Sequence, residues 1–235
     1  MKEYLYDKYV SSGQAGNSKS KSDKQPYFRF LNKHTFCNLK RDINILDIGC
    51  GNGDFLVYLR SKYFLNLYGV DVSQEQIDLA SQNKLTNVVQ GDLMDYAKNA
   101  PDAFFDVIIA KDILEHLTLQ ELFTLGKELK RVLRMGGTII GHVPNANGVF
   151  GMKIRYGDLT HVQAFNEKSL NQLFKTIGFD EIKVVEDKPM SSGLFKSVAR
   201  NILWELITFQ FRFLHYIESG EKRIALSSNL TFFVS

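Results

Sequence analysis

The chain has 235 residues, of which 44% are hydrophobic and 23% charged, with a formal net charge of +3 and two cysteines. That is enough for one well-buried domain with extensions, and two full domains would be cramped. So small a net charge gives no argument for a nucleic-acid partner. Two cysteines (Cys37 and Cys50) cannot build a disulfide framework, and no apolar run reaches the ~18 residues of a membrane span.

Residues 1–41 carry nine Lys/Arg against three Asp/Glu, a basic arm. Such an arm suits an anionic substrate or surface, and suits a solvated terminus as well. Its opening, Met1-Lys-Glu-Tyr-Leu-Tyr-Asp7, is too polar for a signal peptide. With reduced thiols, this points to the cytoplasm. Residues 13–24 are small, polar and basic, a flexible link into a helix near 26–39. From residue 42 the periodicities predict a second region, 42–235, with strands at 43–48, 66–71, 87–90, 105–110, 137–143, 179–186 and 229–234. Helices are predicted at 53–62, 74–82, 119–133 and 167–177. The alternation implies an α/β fold: a Rossmann-like, doubly wound, mostly parallel seven-stranded sheet with helices on both faces. Two segments interrupt it. Residues 144–166 are too long for an ordinary connection and read as a lid or substrate loop, and residues 194–217 form an apolar helix with few charges.

The stretch Ile45-Leu-Asp-Ile-Gly-Cys-Gly-Asn-Gly-Asp-Phe-Leu56 is a buried strand, three glycines at alternate positions (Gly49, Gly51, Gly53) and the first turn of a helix. A dinucleotide fingerprint requires Gly-x-Gly-x-x-Gly, so that a helix N-terminus can approach a pyrophosphate. Here Asp54 holds the third glycine's place, and Asp47 adds a second carboxylate just before the turn. Carboxylates there suit a cationic, phosphate-free cofactor such as S-adenosyl-L-methionine.

With these residues the chain resembles the class I S-adenosylmethionine-dependent methyltransferases over roughly residues 43–186. Asp47, Gly49, Cys50, Gly51 and Gly53 resemble the turn that wraps the methionine part of the cofactor. Gly69-Val-Asp71-Val72-Ser resembles the acidic strand end that binds both ribose hydroxyls, where a carboxylate accepts two charge-assisted hydrogen bonds. Gln90-Gly-Asp92-Leu93 resembles the loop that meets the adenine. Phe105 to Asp112, including Lys111, resembles the strand entering the active site, and Leu133 to Ile140 the turn and strand that follow the next helix.

The segment Tyr156-Gly-Asp158-Leu-Thr-His161, with the tail around Trp204 and Tyr216-Ile-Glu218, resembles methyltransferases associated with polysaccharide and lipopolysaccharide biosynthesis. That resemblance implies O-methylation of a sugar hydroxyl in a glycan or its precursor, with His161 as base and Asp158 orienting it. The same pair also reads as a structural brace for the lid. Alternatives are a small-molecule O- or N-methyltransferase of quinone or natural-product type, and a catalytically silent cofactor-binding scaffold. No Asn/Asp-Pro-Pro-Tyr pattern and no basic–aromatic stretch points to nucleic acid. Asp112, Glu115 and His116 would share one helical face and have the chemistry to bind a divalent metal. A Glu-His pair also serves plain loop packing, and no metal is assigned. The apolar helix 194–217 suits peripheral membrane contact, a homodimer seam or the packing of a monomer.

Overall fold

A computed structural model describes residues 26–189 and 194–235. The expected flexible link 13–24 and most of the basic arm lie outside the described residues. Seven strands, β1 (Asn44–Ile48), β2 (Asn66–Asp71), β3 (Val88–Gln90), β4 (Phe105–Lys111), β5 (Leu133–Pro144), β6 (Ile182–Glu186) and β7 (Asn229–Val234), form one sheet in the order β3-β2-β1-β4-β5-β7-β6. β7 runs antiparallel to both β5 and β6, and the pairings among β1–β5 are parallel.

Strand alternation sorts the core into two layers. Leu46, Ile48, Ile108 and Ala110 face one side with Ala97 of α4 (Leu93–Asn99), Leu125 of α5 (Leu119–Val132) and Leu170 of α7 (Glu167–Ile177). Ile45, Val107 and Ile109 face the other, against Phe28 of α1 (Pro26–His34), Leu56 of α2 (Asp54–Ser61) and Ile77 of α3 (Gln74–Gln82). The expected doubly wound sheet is therefore present. From β1 the chain winds outward through β2 and β3, then returns to β4 on the opposite side of β1. The strand order reverses at β1/β4, where open α/β sheets bind ligands beyond the carboxyl ends of their strands.

Several bounds differ from expectation. α4 was not anticipated from its short sequence, and it is nucleated by Asp92, whose Oδ1 accepts from the backbone N–H groups of Met94 (2.8 Å) and Asp95 (3.1 Å). β5 begins at Leu133, four residues earlier than expected, because Leu133 pairs with Phe105 ahead of a register shift in the β4–β5 ladder. α1 ends at His34 and gives way to a short 3₁₀ turn, Phe36–Asn38. The 144–166 segment is anchored at both ends: Asn145 bridges Phe165, the Ala146 N–H donates to the Phe165 carbonyl at 2.7 Å, and the segment carries the short helix α6 (Gly151–Arg155).

α8 (Leu194–Ser219) turns its polar side to the domain: Arg212 bonds Glu186 at 3.0 Å and Glu205 at 2.6 Å, and Lys188 bonds Glu205 at 2.6 Å. Its large apolar residues, among them Phe195, Leu206, Phe209 and Ile217, are exposed. Among the described residues, no helix is long and apolar enough to cross a membrane.

Candidate active site

The glycine turn is built by the end of β2. The N–H groups of Gly49 (2.8 Å) and Cys50 (3.1 Å) both donate to the Val70 carbonyl. Gly49 needs its missing side chain twice over: its φ is +67°, and a Cβ would stand 2.0 Å from Ile113 Cδ1. The next donor, Gly51 N–H, meets Asp71 Oδ2 at 2.8 Å, and Asp71 Oδ1 accepts from Ser73 N–H at 2.9 Å. Asp71 is thereby fixed in orientation with one lone pair used on each oxygen. The remaining lone pairs fit the two hydroxyls of a ribose. Burial raises its pKa against the lowering by these two N–H groups.

Around this anchor the expected donor-site residues converge. Gly91 N–H reaches the Asp71 carbonyl at 3.0 Å, which sets Asp92 beside the same strand end. The Asp92 cap uses only Oδ1, which leaves Oδ2 for an adenine amino group. Val72 is 46% exposed, enough to flank a ring. Leu93 packs instead against the core layer under α4, and the Cys50 side chain is buried near Gly69, so Cys50 offers the site its backbone. Asp54 opens α2, a carboxylate where a pyrophosphate would dock. These residues fit S-adenosylmethionine: an anchored carboxylate for the ribose, a free carboxylate oxygen for the adenine, and acidic groups for its cationic end. When bound, that group supplies an electrophilic methyl on a sulfonium.

Charge is concentrated between β1 and β5. Asp47, 4% exposed at the end of β1, is pushed up to about 7 by burial, with Lys111 pulling it down and Asp71 adding to the rise. Burial disfavours the Lys111 ammonium, but a direct ion pair with Asp112 outweighs it and raises the pKa. Asp112 follows β4 in a left-handed conformation at φ +54°. Such a backbone, unusual outside glycine, is held here by Asp112 N–H donating to the His142 carbonyl at 2.9 Å. The Asp112 carboxylate also meets His142 Nδ1, and His142 Nε2 meets Asp187 at 2.9 Å. Burial opposes the imidazolium, yet the two carboxylates raise His142 to about 9. Asp112 itself is held ionised, below the carboxylate range, because His142 and Lys111 outweigh its desolvation. Tyr27 of α1 covers this group with its ring 4.8 Å from that of His142.

A second cluster joins the turn after β4 to the 144–166 segment. The N–H groups of Val162 (2.8 Å) and Gln163 (3.0 Å) both donate to the Glu115 carbonyl. This brings His161 to His116, ring to ring at 4.6 Å. The Asp158 carboxylate turns to Thr160, accepting from its N–H at 2.8 Å and its hydroxyl at 2.6 Å, and Thr160 Oγ1 contacts His116 Nδ1 at 2.8 Å. The His161 imidazole meets the Ile154 carbonyl through Nδ1 at 3.2 Å. A chain of contacts thus runs from Asp158 through Thr160 to His116. Asp112, expected to share a face with Glu115 and His116, turns instead to Lys111 and His142, because residues 114–116 form a 3₁₀ turn and not an α-helix.

His142, Asp187 and Tyr27 are not among the site residues expected from sequence. His142 was detectable as a lone polar residue inside the run Ile139–Val143; Asp187 and Tyr27 lie more than forty residues from it in either direction and carry no local signal.

A family model described as a methyltransferase domain matches residues 23–184. Phosphoethanolamine N-methyltransferase 1 of Zea mays is 29% identical over 192 residues, covering 77% of this chain and 34% of that protein. Ajmaline N-methyltransferase of Rauvolfia serpentina is 33% identical over 109 residues, covering 43% of this chain and 36% of that protein. The chain spans about a third of the length of these curated relatives. Among solved structures, a SAM-dependent methyltransferase from Archaeoglobus fulgidus aligns with a TM-score of 0.65 at 21% identity, covering 89% of this chain and 99% of that one. Phosphoethanolamine N-methyltransferase 2 of Haemonchus contortus aligns at 0.63 and 20% identity, covering 99% and 57%. At these identities the structural likeness establishes the fold.

Proposed function

The chain belongs to the S-adenosylmethionine-dependent methyltransferase-domain family, and on that premise we propose that it methylates the nitrogen of a small-molecule amine. The observation that carries the acceptor is the Asp112 carboxylate: held ionised at the reversal point of the sheet, its side chain is 41% exposed. Each Asp112 oxygen keeps a lone pair beyond its contact with Lys111 or His142, and these lone pairs accept from an acceptor N–H and fix its nitrogen in place. Methyl transfer from a sulfonium is an in-line displacement, and positioning supplies most of what the protein must contribute. An ammonium becomes nucleophilic on giving up one proton and is far more acidic than a sugar hydroxyl, which needs a dedicated base.

The sugar reading lacks support on two counts. Asp158, the group expected to orient a His161 base, is engaged with Thr160, and the curated relatives named above are N-methyltransferases and not polysaccharide enzymes. The test is radiolabelled methyl transfer from S-adenosylmethionine to a panel of small primary and tertiary amines, phosphorylated amino alcohols and nucleotide sugars. Label in amines supports the reading. Label confined to nucleotide sugars overturns it, and label in nothing favours the silent-scaffold alternative.

A further inference from the structure

Three potential metal ligands, Glu115, His116 and His161, bring one donor atom each to within 4.8 Å of one another. Glu115 is 1% exposed, and its Oε2 is buried without a hydrogen-bond partner. A buried carboxylate oxygen left unsatisfied is costly unless something cationic completes it. The two imidazoles carry their protons in the arrangement a metal requires. His161 Nδ1 faces the Ile154 carbonyl, which can only accept, so the proton sits on Nδ1 and the lone pair on Nε2. Thr160 donates its hydroxyl proton to Asp158, so its oxygen accepts from His116 Nδ1–H, and the His116 lone pair also falls on Nε2. Outer groups of this kind, a carbonyl on one ring and a hydroxyl–carboxylate relay on the other, orient and polarise metal-ligating histidines.

We propose that Glu115, His116 and His161 form a site for a first-row divalent cation, with Zn²⁺ the best match to two imidazoles and one carboxylate. Around a metal at ~2.0–2.1 Å, tetrahedral ligands stand about 3.4 Å apart, so the three atoms need to draw in by less than ~1 Å each. The lid is already pinned to the Glu115 carbonyl through residues 162 and 163, so His161 reaches the site without a large rearrangement. Three protein ligands leave a fourth position for water or a donor atom of the acceptor. Two imidazoles disfavour Mg²⁺, which prefers oxygen ligands.

The inference is independent of which atom is methylated, and it is tested by binding. The full chain, stripped with chelator, is titrated with Zn²⁺ and with Co²⁺, with metal content measured after gel filtration and the Co²⁺ absorption spectrum recorded. About one ion per chain is expected, with a four-coordinate Co²⁺ spectrum. The partly exposed His161→Gln and the isosteric Glu115→Gln should each weaken Zn²⁺ binding at least ~10-fold, while Cys37→Ser does not. S-adenosylhomocysteine binding measured on the same samples reports folding and the donor site separately. Wild type that retains no stoichiometric ion, or folded His161→Gln and Glu115→Gln variants that bind Zn²⁺ as tightly as wild type, overturns the proposal.

Discussion

Replacing Asp71 with Ala removes the group on which the donor site is organised. In the structure its carboxylate accepts from Gly51 N–H at 2.8 Å and Ser73 N–H at 2.9 Å. Two ribose hydroxyls are expected to join these donors in the bound state. Each charge-assisted hydrogen bond contributes about 1.5 kcal/mol at the low end, so losing one corresponds to roughly a tenfold rise in Kd, and losing both to roughly 150-fold. Two backbone N–H groups also lose their acceptor. The turn opens to water, so the stability cost should be modest, on the order of 1–2 kcal/mol. Calorimetry with S-adenosylhomocysteine should therefore show a Kd raised ~10- to 150-fold, while the circular dichroism spectrum stays that of the folded protein. A folded Asp71→Ala protein with unchanged affinity would refute both the ribose assignment and the reading of the turn as its support.

Further outcomes follow from the same contacts. His142 is raised to about 9 in the folded state, so its contribution is complete below its unfolded value near 6.5 and is lost as pH rises through about 9. The shift corresponds to on the order of 3 kcal/mol, counted once for the His142–Asp112 pair. Urea midpoints of wild type should fall across that window, and His142→Asn should flatten the fall; parallel curves would contradict the network. Glu186 accepts from Leu226 N–H and Ser227 N–H at 2.9 Å each and from Arg212 at 3.0 Å. Glu186→Ala should cost about 3 kcal/mol, lowering Tm by roughly 6–12 °C, and an unchanged Tm would argue against α8 being docked through this residue. Gly49→Ala forces a Cβ to within 2.0 Å of Ile113, whereas Gly136→Ala, at a similar positive φ, meets nothing within 4 Å. Both should incur the left-handed penalty of about 1–2 kcal/mol, but only Gly49→Ala should also impair cofactor binding in calorimetry.

The part of this molecule that could be read from sequence is the part governed by local periodicity. The buried β1 run, the alternate glycines and Asp71 lie within one strand–turn–helix–strand unit, and all stand where their spacing put them. The acceptor side was harder because its contacts are non-local. His142 finds its partners in Asp112, thirty residues earlier, and in Asp187, forty-five later. The Asp158-x-x-His161 spacing gave no sign of the part played by Thr160, which lies between them and donates both its N–H and its hydroxyl to the Asp158 carboxylate. An i, i+3, i+4 face was assigned to residues 112–116, yet Asp112 adopts a left-handed conformation and residues 114–116 form a 3₁₀ turn, which redirects the Asp112 carboxylate to His142.

In the proposed reaction, a methyl donor bound at Asp71 meets an amine held at Asp112. It is tested most directly by turnover with S-adenosylmethionine carrying a ¹³C-labelled methyl group, followed by NMR of the product formed by wild type and by Asp112→Asn. The label should appear as an N-methyl carbon with wild type, and kcat/KM should fall at least ~10-fold in the variant, the loss of one charge-assisted contact. Label appearing as an O-methyl carbon, or an Asp112→Asn enzyme as active as wild type on an amine, would contradict it.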